Sequence, residues 1–242
     1  MTKHKLTKAK KLNKPKAHPW RICPGGEHWV GPHSRREPKG TVQVKGYCRA
    51  NPSRKDQIYS VELNHIAEKY FSKIKVQPKA DNLDFKYRGN RYDLLIAGWT
   101  QYWNDVLAPG ENLDPNLVKA LIATESDFDR MAKIKAGKKA GYARGLMQVT
   151  DWALKILKDE KGELRDHLID LNQAEMEEAS LNIAAGVRWL HRKRDTASAK
   201  LKRQATWQEA AADYKSYLEK WQKDPDHKQM NKLIHFYERL KK

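Results

Sequence analysis

Across most of this chain the apolar residues return at steps of three and four, a spacing that an α-helix gathers onto one buried face. Tyr92, Leu95, Ile96, Trp99, Trp103 and Val106 make one such stripe, and Pro109-Gly110 ends it. Asp114-Pro115 then supplies an N-cap and a first-turn proline for a helix with Val118, Leu121 and Ile122 inside. Met176, Ala179, Ile183, Val187 and Leu190 form another stripe, followed by Trp207, Ala210, Ala211, Tyr214, Leu218 and Trp221. Met230, Leu233, Ile234, Tyr237 and Leu240 make the last, and residues 61–74 suit an earlier helix. Strand signals are nearly absent after residue 60. Residues 61–242 are therefore expected to form one mainly α domain.

The charge is spread unevenly. The 242 residues carry a net +18, and residues 1–60 hold 15 Lys and Arg against three Asp and Glu. Residues 1–17 alternate Lys with small polar residues and show no apolar face, so they are expected to form a basic tail without a fold of its own. Such asymmetry suits an anionic partner surface, and a solvated tail that keeps the protein soluble explains it as well. No recognised nucleic-acid-binding motif accompanies the charge, which argues against nucleic acid as the partner. No apolar run reaches the roughly 18–20 residues that a membrane span needs. The N-terminus also lacks the apolar segment of a secretory signal.

From His18 to about Ser60 the composition shifts to Gly, Pro, Trp, Cys and His, which reads as a small loop-rich module. Thr41 to Cys48 alternates in part and suits a short strand. Cys23, His28, His33 and Cys48 offer two thiolates and two imidazoles, enough for a structural tetrahedral zinc. Their spacing matches no common zinc pattern. A Cys23–Cys48 disulfide and a pair of free thiols remain open beside it.

One position stands out for chemistry. In the helix opened by Asp114, adding three or four residues to Leu121 and Ile122 brings Glu125 onto the core-facing side. A carboxyl group at such a place is partly desolvated, which favours the neutral form that a general acid needs. Periodicity alone fits equally well with a helix-end glutamate turned to solvent.

The sequence that follows adds weight. Glu125-Ser126 ends its helix, a loop follows, and then comes Gly145-Leu146-Met147-Gln148. Asn182-Ile183-Ala184-Ala185-Gly186 and Ala212-Asp213-Tyr214 come later. In this order, over roughly residues 90–220, the chain resembles the soluble lytic transglycosylase (SLT) family. The resemblance implies a goose-type-lysozyme-like helical fold and cleavage of the bond between N-acetylmuramic acid and N-acetylglucosamine in peptidoglycan. It implies Glu125 as acid and then base, with a 1,6-anhydro product and no catalytic cofactor. It also implies Ser126, Gly145, Leu146, Met147, Gln148 and Tyr214 as substrate-side residues.

Each motif has its own physical reading. Gly145 permits a close backbone approach, Met147 offers a flexible apolar surface, and Gln148 offers one acceptor and two donors. Asn182 and Gly186 read as a buried amide and a close helix contact. Two features depart from the family pattern. Lys215 stands where the family usually has Asn, and Asp127 and Asp129 follow Glu125 closely enough to keep lysozyme-type hydrolysis open. A catalytically silent cell-wall-binding scaffold is the alternative from another class. As an enzyme, the protein is expected to reach the cell wall by phage lysis, a virion or a secretion machine, with its basic N-terminal part held to the anionic envelope.

Overall fold

The computed structural model describes residues 20–164 and 166–242, and the basic tail expected at 1–17 lies outside them. Five short strands come first: β1 (Glu27–Val30), β2 (His33–Glu37), β3 (Gly40–Val44), β4 (Tyr47–Ala50) and β5 (Gln57–Tyr59). The strand expected over 41–48 is two strands, β3 and β4, parted at Lys45-Gly46. A Cβ on Gly46 would lie 2.2 Å from the Trp29 ring, so the chain passes this ring only without a side chain. β1 pairs antiparallel with β4, and β2 with β3.

The remaining elements are mainly helical. They are α1 (Ser60–Tyr70), α2 (Asp93–Leu107), α3 (Pro115–Ser126), β6 (Lys133–Gly137), β7 (Gly141–Arg144), β8 (Val149–Thr150), α4 (Asp151–Lys158) and β9 (Leu168–Asp170). Then come α5 (Ala179–Leu201), α6 (Trp207–Tyr214), α7 (Leu218–Lys223) and α8 (Lys228–Lys241). No helix among the described residues is long and apolar enough to cross a membrane.

The domain is mainly helical as expected, and the four short strands after residue 60 among the described residues left little signal in the sequence. Every residue of β6 is exposed, so no buried face imprints a two-residue pattern on it. In β9 the adjacent Leu168 and Ile169 are both buried, which also erases alternation. The stripe from Trp207 to Trp221 is likewise two helices, α6 and α7. They are broken where Ser216 takes φ 61°.

Residues 20–60 pack onto the helical body. β5 runs parallel to β9, with Gln57 opposite Leu168 and Tyr59 opposite Asp170. Arg21 donates to Glu62 at 2.6 Å and to Asp56, and the Glu62 side chain is wholly buried. Trp20 packs edge-on against Tyr70, Phe71 and Tyr102, and its indole donates to Asp105 at 2.8 Å.

Of the arrangements the sequence left open for Cys23, His28, His33 and Cys48, the structure has the disulfide and not the four-ligand zinc site. Cys23 and Cys48 are joined as a disulfide, which leaves no thiolate to bind a metal. His28 bonds Asn51 at 2.7 Å and stacks on Tyr59, while His33 is exposed and bonds the Gly31 carbonyl.

The core is centred on α2, α3 and α5. Trp99, Tyr102 and Trp103 of α2 are buried in a chain of edge-to-face contacts with Phe71. The two indole N–H groups find partners on α5, with Trp99 Nε1 donating to Ser180 and Trp103 Nε1 to the Ala184 carbonyl.

As the sequence predicts, α3 is capped by Asp114, whose carboxylate accepts from Asn116 N at 2.8 Å. Midway along α3, Lys119 is fully buried. Its ammonium donates to Asp93 at 3.0 Å, Asn90 at 2.7 Å and the Lys79 carbonyl at 3.1 Å. Burial lowers the Lys119 pKa and lifts Asp93 to about 6 despite their pairing. This pair pins α3 to α2 and so fixes the helix that carries Glu125. Lys119→Met should cost about 3 kcal/mol, because it leaves a buried carboxyl group without its cation. Urea denaturation should show the loss, and Lys119→Met combined with Asp93→Asn should recover part of it.

Candidate active site

Glu125 lies in the last turn of α3, and the helix stops directly after it. Asp127 and Phe128 take left-handed backbone angles, with φ of 49° and 59°. Asp tolerates this region better than most residues. Phe128 is held there by burial and by an edge-on contact with Phe85 at 5.3 Å. Its anchored ring turns the chain away and leaves the Glu125 side chain at the helix end, 17% exposed.

Opposite this turn lies the segment Gly145–Gln148, which joins β7 to β8. Gly145 has φ +70°, and a Cβ there would lie 2.4 Å from the Met176 carbonyl oxygen and 2.3 Å from Asn182 Nδ2. Only glycine fits. Ser126 joins the two sides, its hydroxyl donating to the Leu146 carbonyl at 2.8 Å. Asn182 of α5 holds the segment from behind. Its Oδ1 accepts from Met147 N at 2.8 Å, and its Nδ2 donates to the carbonyls of Arg144 at 2.9 Å and Met176 at 3.1 Å.

The structure brings Glu125, Ser126, the Gly145–Gln148 segment and Tyr214 together. Several of the residues that the resemblance places on the substrate side are buried. Leu146 and Met147 are fully buried, and a Cβ on Gly186 would meet Met147 Sδ at 2.4 Å. Met147 thus fills the close approach of α5. Gln148 is also buried, and its Nε2 is taken by the carbonyls of Ala132 and Gly145. Its Oε1 is buried without a partner among the described residues. These residues shape the loop under Glu125.

Tyr214 closes the site from α6. Its hydroxyl donates to the Met147 carbonyl at 2.7 Å. Burial, and behind it the charge on Glu125, push the phenol well above its ordinary pKa, so it stays a neutral donor.

The next residue, Lys215, is one that sequence reasoning marked as a departure but gave no part in the site. Its side chain is 5% exposed, and its Nζ donates to Glu125 Oε1 at 2.8 Å, Thr124 Oγ1 at 3.2 Å and the Thr124 carbonyl at 3.4 Å. Asp127 and Asp129 are exposed, and Asp129 Oδ1 accepts from Met131 N.

Tyr214 also lines a cavity of about 300 Å³ with Lys139, Thr150, Trp152, Trp189 and Lys193. Trp152 is 41% exposed and meets Trp189 edge-on at 5.8 Å. The Lys193 ammonium lies 5.4 Å from the Trp189 ring centre. No periodic signal marks Trp152 as a site residue, because it follows Asp151 in the first turn of an ordinary amphipathic helix.

Elsewhere among the described residues, Asp56, Asp166 and His167 place donor atoms within 4.8 Å of one another. Those donors are already engaged. His167 Nδ1 bonds Asp56 at 2.7 Å, Arg21 pairs with Asp56, and Asp166 accepts from the backbone of Asp56 and His167. They clasp β5 to the loop before β9.

A family model described as Transglycosylase SLT domain matches residues 104–234, more than half of the chain. The chain belongs to the SLT transglycosylase family. A search of the curated proteins finds no match. The SLT span runs from the end of α2 into α8, so it contains Glu125, Ser126, Gly145–Gln148, Asn182, Tyr214 and Lys215. Strands β1–β5 and helix α1 lie outside it.

Within the SLT domain, Asn182→Ala should remove the partner of the Met147 amide and one bond each from the Arg144 and Met176 carbonyls, at a cost of about 3 kcal/mol. Differential scanning calorimetry should show the fall in Tm. An unchanged Tm would mean that the Gly145–Gln148 segment is held by something else.

Proposed function

We propose that the protein is a peptidoglycan lytic transglycosylase that cleaves the N-acetylmuramic acid–N-acetylglucosamine bond with Glu125 as acid and then base. The observation that carries this reading is the seat of Glu125. It is a part-buried carboxyl group at a helix end, braced by Ser126 and the Gly145–Gln148 loop, inside a matched SLT domain. In its protonated form Glu125 donates to the glycosidic oxygen as the bond breaks. As a carboxylate it then takes the proton from the C6 hydroxyl of the muramic acid, whose oxygen closes the 1,6-anhydro ring. The proton count balances and no water is consumed. Most glycosidases that hydrolyse use a second carboxylate for water or a covalent intermediate. Among the described residues near Glu125, Asp129 is engaged in a backbone turn and Asp127 faces solvent.

The cavity beside Tyr214 suits a sugar chain, since the exposed face of Trp152 offers apolar area to a pyranose ring and Thr150 offers a hydroxyl. Exposed Lys139 suits the carboxylates that peptidoglycan carries, whereas Lys193 is paired with Asp213 at 3.1 Å. We place the protein's work in the cell wall, reached by lysis, virion or secretion machinery. The basic N-terminal region would hold it to the anionic envelope with an affinity that falls as salt rises.

Digestion of purified peptidoglycan followed by mass spectrometry tests the reading. Wild-type protein should release anhydro-muropeptides and Glu125→Gln should release none. Reducing-end products would make the protein a hydrolytic muramidase, and no products from either protein would make it a silent scaffold. Trp152→Ala should raise KM on glycan strands about tenfold while kcat changes little, because it removes binding made equally in ground and transition states. A KM at the wild-type value would remove this cavity from the substrate path.

A further inference from the structure

Lys215 stands where the family pattern usually has an amide, and its contacts divide the two oxygens of Glu125 between different tasks. The ammonium sits in a nest of three acceptors: the Thr124 carbonyl, Thr124 Oγ1 and Glu125 Oε1. At 5% exposure it has little room to swing away. Its backbone is set by the end of α6, where Lys215 N bonds the Ala211 carbonyl at 3.0 Å. Glu125 Oε2 accepts no hydrogen bond among the described residues and is not among the buried unpartnered atoms, so it stays accessible.

An ammonium group has three donors and no acceptor. A carboxyl group beside it therefore cannot turn its own O–H toward Nζ, and the oxygen facing Nζ must remain an acceptor. An amide at this place would impose no such rule, because it presents both a donor and an acceptor. Building on the transglycosylase reading, we propose that Lys215 is a positioning residue that keeps Oε1 as the acceptor and reserves Oε2 for the proton of catalysis. In the acid form the proton sits on Oε2 and Oε1 is the carbonyl oxygen held by Lys215. In the base form Oε1 keeps the same bond and Oε2 receives the proton from the sugar hydroxyl. Lys215 itself neither gains nor loses a proton, and the carboxyl plane does not have to turn between the two steps.

Steady-state kinetics on peptidoglycan strands, with Tm recorded for every variant, test the inference. Lys215→Met should lower kcat by about 100-fold, the scale of a misplaced reacting group, with KM within about twofold of wild type. Lys215→Asn should lose a similar factor, since it cannot reach Oε1 as a pure donor, whereas Lys215→Arg should retain more activity than either. Ethylammonium ion added to Lys215→Ala should raise kcat in proportion to its concentration and should leave Glu125→Gln inactive. Wild-type kcat in Lys215→Met or Lys215→Asn, or no rescue by ethylammonium together with an inactive Lys215→Arg, would overturn the inference and leave the transglycosylase reading standing. An inactive wild-type protein would overturn that reading and this inference together. If Lys215→Met does not fold, the comparison of Lys215→Arg with Lys215→Gln decides in the same way.

Discussion

One buried amide on α5, that of Asn182, holds Met147 N in the segment between β7 and β8, the Arg144 carbonyl at the end of β7 and the Met176 carbonyl just before α5, and the site depends on that attachment. Four facts meet there. Gly145 can approach because it has no side chain, and Gly186 opens room on α5 for Met147. The Met147 carbonyl, fixed in this way, receives the Tyr214 hydroxyl. Ser126 then closes the circuit from the helix of Glu125 by donating to Leu146. Inside a protein such bonds are strong because no water competes, and for the same reason each is costly to leave unmade. The motif residues conspicuous in the sequence therefore act mostly by building the floor on which Glu125 stands.

The second constraint is the way α3 is held. Its N-terminus is capped by Asp114, its middle is pinned to α2 by the Lys119–Asp93 pair, and its C-terminus is stopped by the left-handed turn at Asp127 and Phe128. A helix held at three heights has little freedom to slide. The carboxyl group at its end is thus a defined point against which Lys215 and Tyr214 can be set.

Strands β1–β5 lie outside the matched family span yet are joined closely to the body. The pairing of β5 with β9 and the Asp56–His167 contact cross into the matched span, and the buried Arg21–Glu62 pair joins the strand segment to α1. The Cys23–Cys48 disulfide closes the segment within itself. The hairpin of β2 and β3 is exposed along most of its length and carries Arg35, Arg36 and Lys39 at or beside its turn. That exposure is consistent with the excess of positive charge in the first quarter of the chain.

Much of this was legible from residue order alone. Helical stripes located α2, α3 and α8 to within a few residues but only the first half of α5, and Asp114-Pro115 announced the cap that the structure contains. These signals are local: a three- or four-residue step, or a cap and its proline, works within one turn of one helix. The match of residues 104–234 to the SLT family agrees with the ordered Glu-Ser, Gly-Leu-Met-Gln and Asn-Ile motifs. What only the tertiary structure decided is everything that depends on contact between distant segments. It took the disulfide rather than the zinc site, paired β5 with β9 across about a hundred residues, and buried Met147 and Gln148 away from the surface. It also set Lys215 against Glu125, ninety residues earlier in the chain. A side chain's partner across such a distance is chosen by how helices pack, and no period in the sequence records that choice.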